Sequence, residues 1–89
     1  MSVAMRIEEK LREDFTPESL TVVDESHLHA GHAGARPQGE SHFRVEITSD
    51  VFEGLSRVAR QRLIYQSLSV EMATNIHALS LTVRSPTDK

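Results

Sequence analysis

The stretch SHFRVEITSDVFEGLSRVARQRLIY, residues 41–65, predicts a strand, a turn and the start of a helix in direct succession. In its first part, Phe43, Val45 and Ile47 alternate with polar residues. Strict alternation is typical of a strand that buries one face and exposes the other. Ser56 is the expected N-cap of the helix, because a serine side chain can accept a hydrogen bond from a free N–H of the first turn.

The helix that begins at Ser56 is predicted to continue to Met72 and to end at the break formed by residues 73–75. A short extra turn of helix is expected near Val70 to Thr74. Its expected buried stripe consists of Val58, Ala59, Leu63 and Leu68. Its arginines are expected to lie mostly on the exposed sides.

Two further strands and another helix are predicted on either side of this stretch. Ser2 can cap a first helix, which Pro17 stops. The apolar stripe of that helix consists of Val3, Ile7, Leu11 and Phe15. The segment SLTVVD, residues 19–24, is rich in β-branched residues and predicts a strand. The segment IHALSLTVRS, residues 76–85, alternates again and predicts the last strand.

The predicted order is α-β-β-α-(α)-β, where the bracketed helix is the short extra turn. Three strands and these helices predict an α+β fold, a two-layer sandwich with a three-stranded mixed sheet that has one exposed face. A chain of 89 residues is expected to form a single domain, residues 1–89. Neither a targeting segment nor an apolar run of about 20 residues is visible, so we expect a cytoplasmic protein.

The composition limits the chemistry. The chain contains no cysteine, so it has no thiol nucleophile and no thiolate ligand of its own for an iron–sulfur cluster. No set of nucleophile, base and orienting residue can be argued from the spacing, so we expect a non-enzyme. Five histidines in 89 residues are the unusual feature, and three of them fall within six positions.

Those three histidines belong to the segment ESHLHAGHAGARPQGE, Glu25–Glu40, which contains glycines and a proline and shows no periodicity. It predicts a long loop, and loops of this length are usually functional or mobile. A cysteine-free chain could supply only the nitrogen half of a mixed iron–sulfur site. The candidate donors are His77 and one loop histidine, and they form a site only if the loop folds back toward the last strand.

The sequence resembles the BolA family over nearly its whole length. The matching residues are Val22-Val23-Asp24-Glu25-Ser26, Ser41-His42-Phe43, Ser49-Asp50, Phe52-x-Gly54, Arg57, Arg60-x-Arg62 and His77-Ala78-Leu79. Gln61 departs from the family, which usually carries histidine there. The long histidine-rich loop resembles a recurring longer-loop version of the family.

The resemblance implies a fold similar to the type II KH domain. It also implies partnership with monothiol glutaredoxins of the CGFS type, through a shared [2Fe-2S] cluster that glutathione helps to hold. The isolated chain is expected to be a monomer that binds no cofactor alone and forms a heterodimer with that partner. Some family members are described as DNA-binding transcriptional regulators of stress response and cell morphology.

The resemblance assigns His77 as a metal ligand, because it matches the family's ligand histidine in the His-Ala-Leu motif. The loop ligand stays open. Counting from Asp24 selects His29, whereas counting back from Ser41 selects His32, and we favour His29 slightly. His27 is the weakest loop candidate. For His42 we expect a structural role rather than ligation.

Arg44, Arg57, Arg60 and Arg62 form a candidate basic surface. Such a surface is either a solvated face, a contact to nucleic-acid backbone or a docking site for an acidic partner. The formal net charge of −3 ranks DNA binding second, behind an adaptor in iron–sulfur cluster trafficking and iron regulation. A third hypothesis is that the histidine loop binds another metal, such as zinc or copper.

Overall fold

A computed structural model describes residues 2–25 and 42–88 of the chain. The elements in chain order are α1 (Val3–Phe15), β1 (Ser19–Asp24), β2 (His42–Thr48), a 3-10 turn (Asp50–Phe52), α2 (Arg57–Ser67), α3 (Ser69–Thr74) and β3 (Ala78–Arg84). This order confirms the predicted α+β class, and the short extra helix is α3. No helix in the described ranges is long and apolar enough to span a membrane.

The sheet has three strands with β2 in the centre. β1 pairs with β2 in antiparallel orientation and β3 pairs with β2 in parallel orientation, which confirms the predicted mixed sheet. Val45 of β2 lies level with Val22 on one side and with Leu81 on the other. The helices cover one face of the sheet, where the alternating apolar residues of β2 are buried, as their pattern predicts.

Helix α1 forms as its sequence predicts. The Ser2 hydroxyl accepts a hydrogen bond from the Met5 N–H at 3.1 Å and caps the first turn. The buried residues of the helix are Val3, Ile7, Leu11 and Phe15. They recur at every fourth position, so one stripe of the helix packs on the sheet while charged residues cover the rest.

The buried stripe predicted for helix α2 is confirmed at Leu68 and wrong at Val58. Ser56 caps it, with its hydroxyl accepting from the Ala59 N–H at 3.1 Å, but Val58 is 58% exposed. The fully buried residues are Ile64 and Leu68. Counting back by one helical turn from Ile64 reaches Arg60, so this arginine lies on the inward side. Val58 is two positions away, which places it about 200° around the helix, on the exposed side.

A tight turn connects β2 to α2 and sets where the helix starts. The Ser49 hydroxyl donates to the Phe15 carbonyl at 2.6 Å and ties this turn to the end of α1. Phe52 is buried, with its ring centroid 5.1 Å from that of Phe15. Gly54 has a φ of +75°, a conformation that glycine adopts without steric cost. The turn therefore closes the core at one end of the sandwich.

Candidate functional site

His77 lies at the start of β3, between two fixed points of the backbone. On one side, the N–H groups of Asn75 and Ile76 both donate to the Glu71 carbonyl at 2.8 Å and end helix α3. The Ile76 side chain is only 5% exposed and anchors the segment in the core. On the other side, Ala78 begins the pairing with β2. The imidazole of His77 itself is exposed on the surface.

His42 is the neighbour of His77 in space. The parallel register places His42 level with Ala78, which brings the two histidines together across adjacent strands. Their ring centroids are 5.2 Å apart, and their planes are inclined by 53°. The His42 side chain is 9% exposed, so it is held in the protein while His77 faces solvent. A shallow groove of about 220 Å³ lies beside His42, lined also by Glu25 and Leu79.

The residues that flank the histidine-rich segment lie at this corner. Asp24 pairs with Phe43 in the sheet, and the Glu25 N–H donates to the His42 carbonyl at 2.8 Å. Glu25 and His42 flank the segment 26–41, and both lie at the corner formed by the His42–His77 pair. The predicted ligands His29 and His32, like His27, fall outside the described residues.

Chemically, the corner offers two imidazoles and the carboxylate of Glu25, which is paired with Arg44. Within residues 2–25 and 42–88, no group of three histidine or carboxylate side chains is arranged to hold a metal ion. A neutral imidazole is a good ligand for zinc, copper or iron, but it leaves most of a coordination sphere to be supplied from elsewhere. Among the described residues, this corner therefore supplies an incomplete set of metal ligands.

The four candidate arginines fall into two groups. Arg44 forms ion pairs with Glu25 at 3.2 Å and with Glu46 at 2.9 Å, on the open face of the sheet. Arg57 and Arg62 are exposed on α2 and form no ion pair with a described residue. Of the four predicted arginines, these two combine exposure with the absence of an ion pair to a described residue.

Arg60 is engaged in contacts within the fold, and its role in docking stays a prediction. Its guanidinium donates to the carbonyls of Leu55 at 3.1 Å and Val83 at 3.2 Å, and it pairs with Asp88. The hydrogen bond from Arg60, together with hydrogen bonds from the Ser85 hydroxyl and N–H, lowers the pKa of the Asp88 carboxyl well below its ordinary value. The side chain of Arg60 is only 14% exposed, because α2 turns this residue toward the end of β3.

The chain is similar in sequence to a known family and to several curated proteins. The family model described as BolA-like protein matches residues 11–88. SufE-like protein 1, chloroplastic/mitochondrial, of Arabidopsis thaliana is 45% identical over 98% of this chain, which spans only 24% of that longer protein. The DNA-binding transcriptional regulator BolA of Escherichia coli is 48% identical over 91% of this chain and 73% of its own length.

A solved structure gives the same answer for the fold. The BolA domain of SufE1 from Arabidopsis thaliana superposes with a TM-score of 0.86 and 45% identity, covering 97% of this chain and 94% of that domain. This agreement supports the observed order of helices and strands, whereas the predicted likeness to type II KH domains stays a prediction. The family match over most of the length, from α1 to the last residues after β3, shows that the chain belongs to the BolA-like family.

Proposed function

We propose that this protein is a non-enzymatic adaptor that lends His77 as a nitrogen ligand to a [2Fe-2S] cluster shared with a CGFS-type monothiol glutaredoxin. The observation that carries the proposal is the corner at the start of β3. There the exposed His77 contacts the buried His42, and their ring centroids are 5.2 Å apart. An exposed ligand on a rigid backbone is accessible to a second protein. A buried one would not be.

The donor chemistry supports a shared site. Because this chain has no cysteine, thiolate ligands have to come from the glutaredoxin and from glutathione. When bound, a cluster with histidine in place of thiolate has a higher reduction potential than an all-thiolate cluster. His77 has to be neutral to donate its nitrogen, so the complex is expected to weaken as the imidazole becomes protonated.

The second nitrogen ligand is proposed to come from the loop, from His29 or from His32. The residues on either side of this segment lie at the His42–His77 corner, because the Glu25 N–H donates to the His42 carbonyl at 2.8 Å. A segment whose flanking residues are fixed beside His77 has less conformational entropy to lose when one of its residues binds there than a segment attached elsewhere. His42 is proposed to support the His77 ring from its held position rather than to bind the metal.

The test is to purify the chain together with a CGFS glutaredoxin and compare visible absorption and circular dichroism with those of the glutaredoxin alone. We expect His77→Ala to abolish the mixed-complex spectrum. His29→Ala and His32→Ala, made separately, should identify the loop ligand, with His27→Ala as the matched control. Binding of the cluster-free partners, measured by calorimetry, separates an effect on ligation from an effect on docking. An unchanged spectrum for His77→Ala would remove this residue from the site.

A second candidate function is DNA binding by α2. Two observations favour it: Arg57 and Arg62 are exposed without an ion pair to any described residue, and relatives carry the name DNA-binding transcriptional regulator. Contacts to phosphate release counterions, so affinity should fall steeply with salt. Replacing Arg57 or Arg62 by Ala should reduce the salt slope by about 1 for each phosphate that the variant no longer neutralises.

Arg44→Ala is the control for that measurement, because Arg44 is engaged with two carboxylates on the sheet. A polyacidic polymer without bases provides the control for charge alone. If a labelled duplex shows no binding near physiological salt, the DNA-binding function is excluded for this chain.

A further inference from the structure

The outer edge of β3 has no neighbouring strand among the described residues, because β3 pairs only with β2. Successive residues of a strand point their N–H and C=O groups alternately to the two sides. The Arg84 carbonyl accepts from the Ser49 N–H at 3.0 Å on the β2 side, and the Val83 carbonyl accepts from Arg60 at 3.2 Å on the outer side. The backbone groups of Leu79 and Leu81 therefore face outward as well.

This edge is only partly covered. Arg60 caps the Val83 carbonyl, but no hydrogen bond from a described residue reaches the outward N–H and C=O groups of Leu79 and Leu81. An open strand edge is a template for pairing with another extended chain, and proteins that avoid such pairing usually cover or interrupt the edge. Here Arg60 covers the edge only at Val83, and the backbone groups of Leu79 and Leu81 stay open.

A groove runs along the same edge. It has a volume of about 430 Å³ and lies between β3 and the beginning of α2. On the strand side it is lined by the four consecutive residues Leu81–Arg84. Consecutive residues belong to opposite faces of a sheet, so a groove that touches all four follows the edge rather than either face. On the helix side, Leu55 gives it an apolar wall and Arg57 a cationic one.

The charges at the groove have one sign. Arg57 comes from the helix layer and Arg84 from the open face of the sheet, so they flank the edge from its two sides. Neither forms an ion pair with a described residue, and no carboxylate of the described ranges lines the groove. Asp88, which lies close to the third arginine of the groove, is already paired with Arg60.

We propose that this edge is a docking site for an extended acidic peptide segment of a partner protein, which adds to the sheet as a fourth strand beside β3. Side chains alternate along an added strand, so one acidic residue would face Arg57 and its direct neighbour in sequence would face Arg84. The recognised segment therefore carries two adjacent acidic residues between apolar or β-branched ones. This site adjoins the His77 corner at Leu79 but does not rest on the iron–sulfur function proposed above.

Features of the groove favour a peptide over nucleic acid. Backbone N–H and C=O groups at a strand edge match the donors and acceptors of another strand. No aromatic side chain of the described residues lines the groove, whereas proteins that bind single-stranded nucleic acid usually stack bases on aromatic rings. The whole chain has a formal net charge of −3, so the positive charge of Arg57 and Arg84 is confined to this groove and does not extend over a large surface.

The experiment is a titration of the ¹⁵N-labelled chain with the acetylated and amidated peptide Thr-Val-Glu-Asp-Val-Thr, followed by NMR. We expect amide shifts concentrated at Leu79, Leu81 and Val83. Two peptides N-methylated at complementary alternate positions should differ, because methylation blocks pairing only on the residues whose N–H faces β3. The Gln-Asn version of the peptide should bind more weakly.

Variants of the chain sharpen the test. Arg57→Gln and Arg84→Gln should each weaken binding on the order of three-fold, as expected for an exposed ion pair. Arg62→Gln is the matched control, because Arg62 lies on the same helix but does not line the groove, and its affinity should stay unchanged. The proposal is overturned if millimolar peptide does not shift the β3 amides, if both N-methylated peptides bind equally, or if a single-stranded oligonucleotide binds this edge in preference to the peptide.

Discussion

Two polar side chains at opposite ends of one short segment, Glu71 in α3 and His77 at the start of β3, are treated in opposite ways by the fold. Glu71 is 2% exposed, and its carboxylate accepts from Lys10 at 2.8 Å and from Arg6 at 3.3 Å. His77 is exposed, and it contacts the ring of His42. The first group is saturated by the protein itself, whereas the second is open to a partner.

The saturated residue also positions the open one. Besides the ion pairs of its side chain, Glu71 uses its carbonyl to accept the N–H groups of Asn75 and Ile76, both at 2.8 Å. Arg6 additionally donates to the Asn75 side chain at 3.3 Å. Helix α1 thereby holds the end of α3 and the turn that leads to His77. The contrast suggests that the Glu71 network serves stability and fixes the backbone from which His77 is presented.

Removing the Glu71 carboxylate should have the largest effect on stability. We expect Glu71→Ala to lower the free energy of unfolding by about 2–3 kcal/mol, because the variant lacks hydrogen bonds to a buried charged group and leaves a small cavity. Urea denaturation followed by circular dichroism measures this. Glu8→Ala is the matched control, since the exposed Glu8–Arg12 pair should contribute only about 0.3–0.5 kcal/mol. Equal effects of the two variants would contradict the assignment.

The same network predicts how stability depends on acid. Burial alone raises the pKa of the Glu71 carboxyl, but hydrogen bonds from Lys10, from its own backbone and from Arg6 outweigh burial, so the pKa is lowered below its ordinary value of 4.5. A lowered pKa means that the folded state favours the charged form. The contribution of Glu71 is therefore fully present above pH 4.5 and is lost as the pH falls through the lowered folded-state pKa.

Urea titrations between neutral pH and pH 3 should show this loss, whose full size is set by the difference between the folded-state and unfolded-state pKa values of Glu71. Glu71→Gln should flatten the acid limb of the stability curve, because glutamine does not titrate. His77→Ala should leave that limb unchanged. An acid limb that is identical in the wild type and in Glu71→Gln would show that other carboxylates are responsible.

The two helices on either side of this network show how far sequence patterns reach. In α1, apolar residues recur at every fourth position and nothing competes with them, so the pattern predicts the buried stripe residue by residue. In α2, a stripe drawn through Val58 is rotated away from the side of the helix that is buried, and it predicts Arg60 on the exposed side. A long arginine can lie on the inward side when its guanidinium reaches backbone carbonyls at the rim, here those of Leu55 and Val83.

In the candidate site, too, one feature can be predicted from the sequence and another cannot. The His-Ala-Leu motif singles out His77, and the structure places this residue on the surface. The contact between His42 and His77 cannot be predicted from the sequence, because it depends on the parallel register of β2 and β3. Alternation within each strand excludes a shift by one residue but allows a shift by two. A histidine at the beginning of each of two neighbouring strands is the available signal.

The smallest expected effect is that of His77 on stability, and it tests the contrast most directly. An exposed group with few contacts should cost less than about 0.5 kcal/mol when His77 is replaced by Ala, whereas His42→Ala should cost about 1–2 kcal/mol because its ring is held in the protein. Thermal and urea unfolding of both single variants and of the double variant give the coupling between the rings. If His77→Ala destabilises the fold as much as His42→Ala does, then His77 is a structural residue. In that case the exposure of His77 would no longer support a role in binding a ligand.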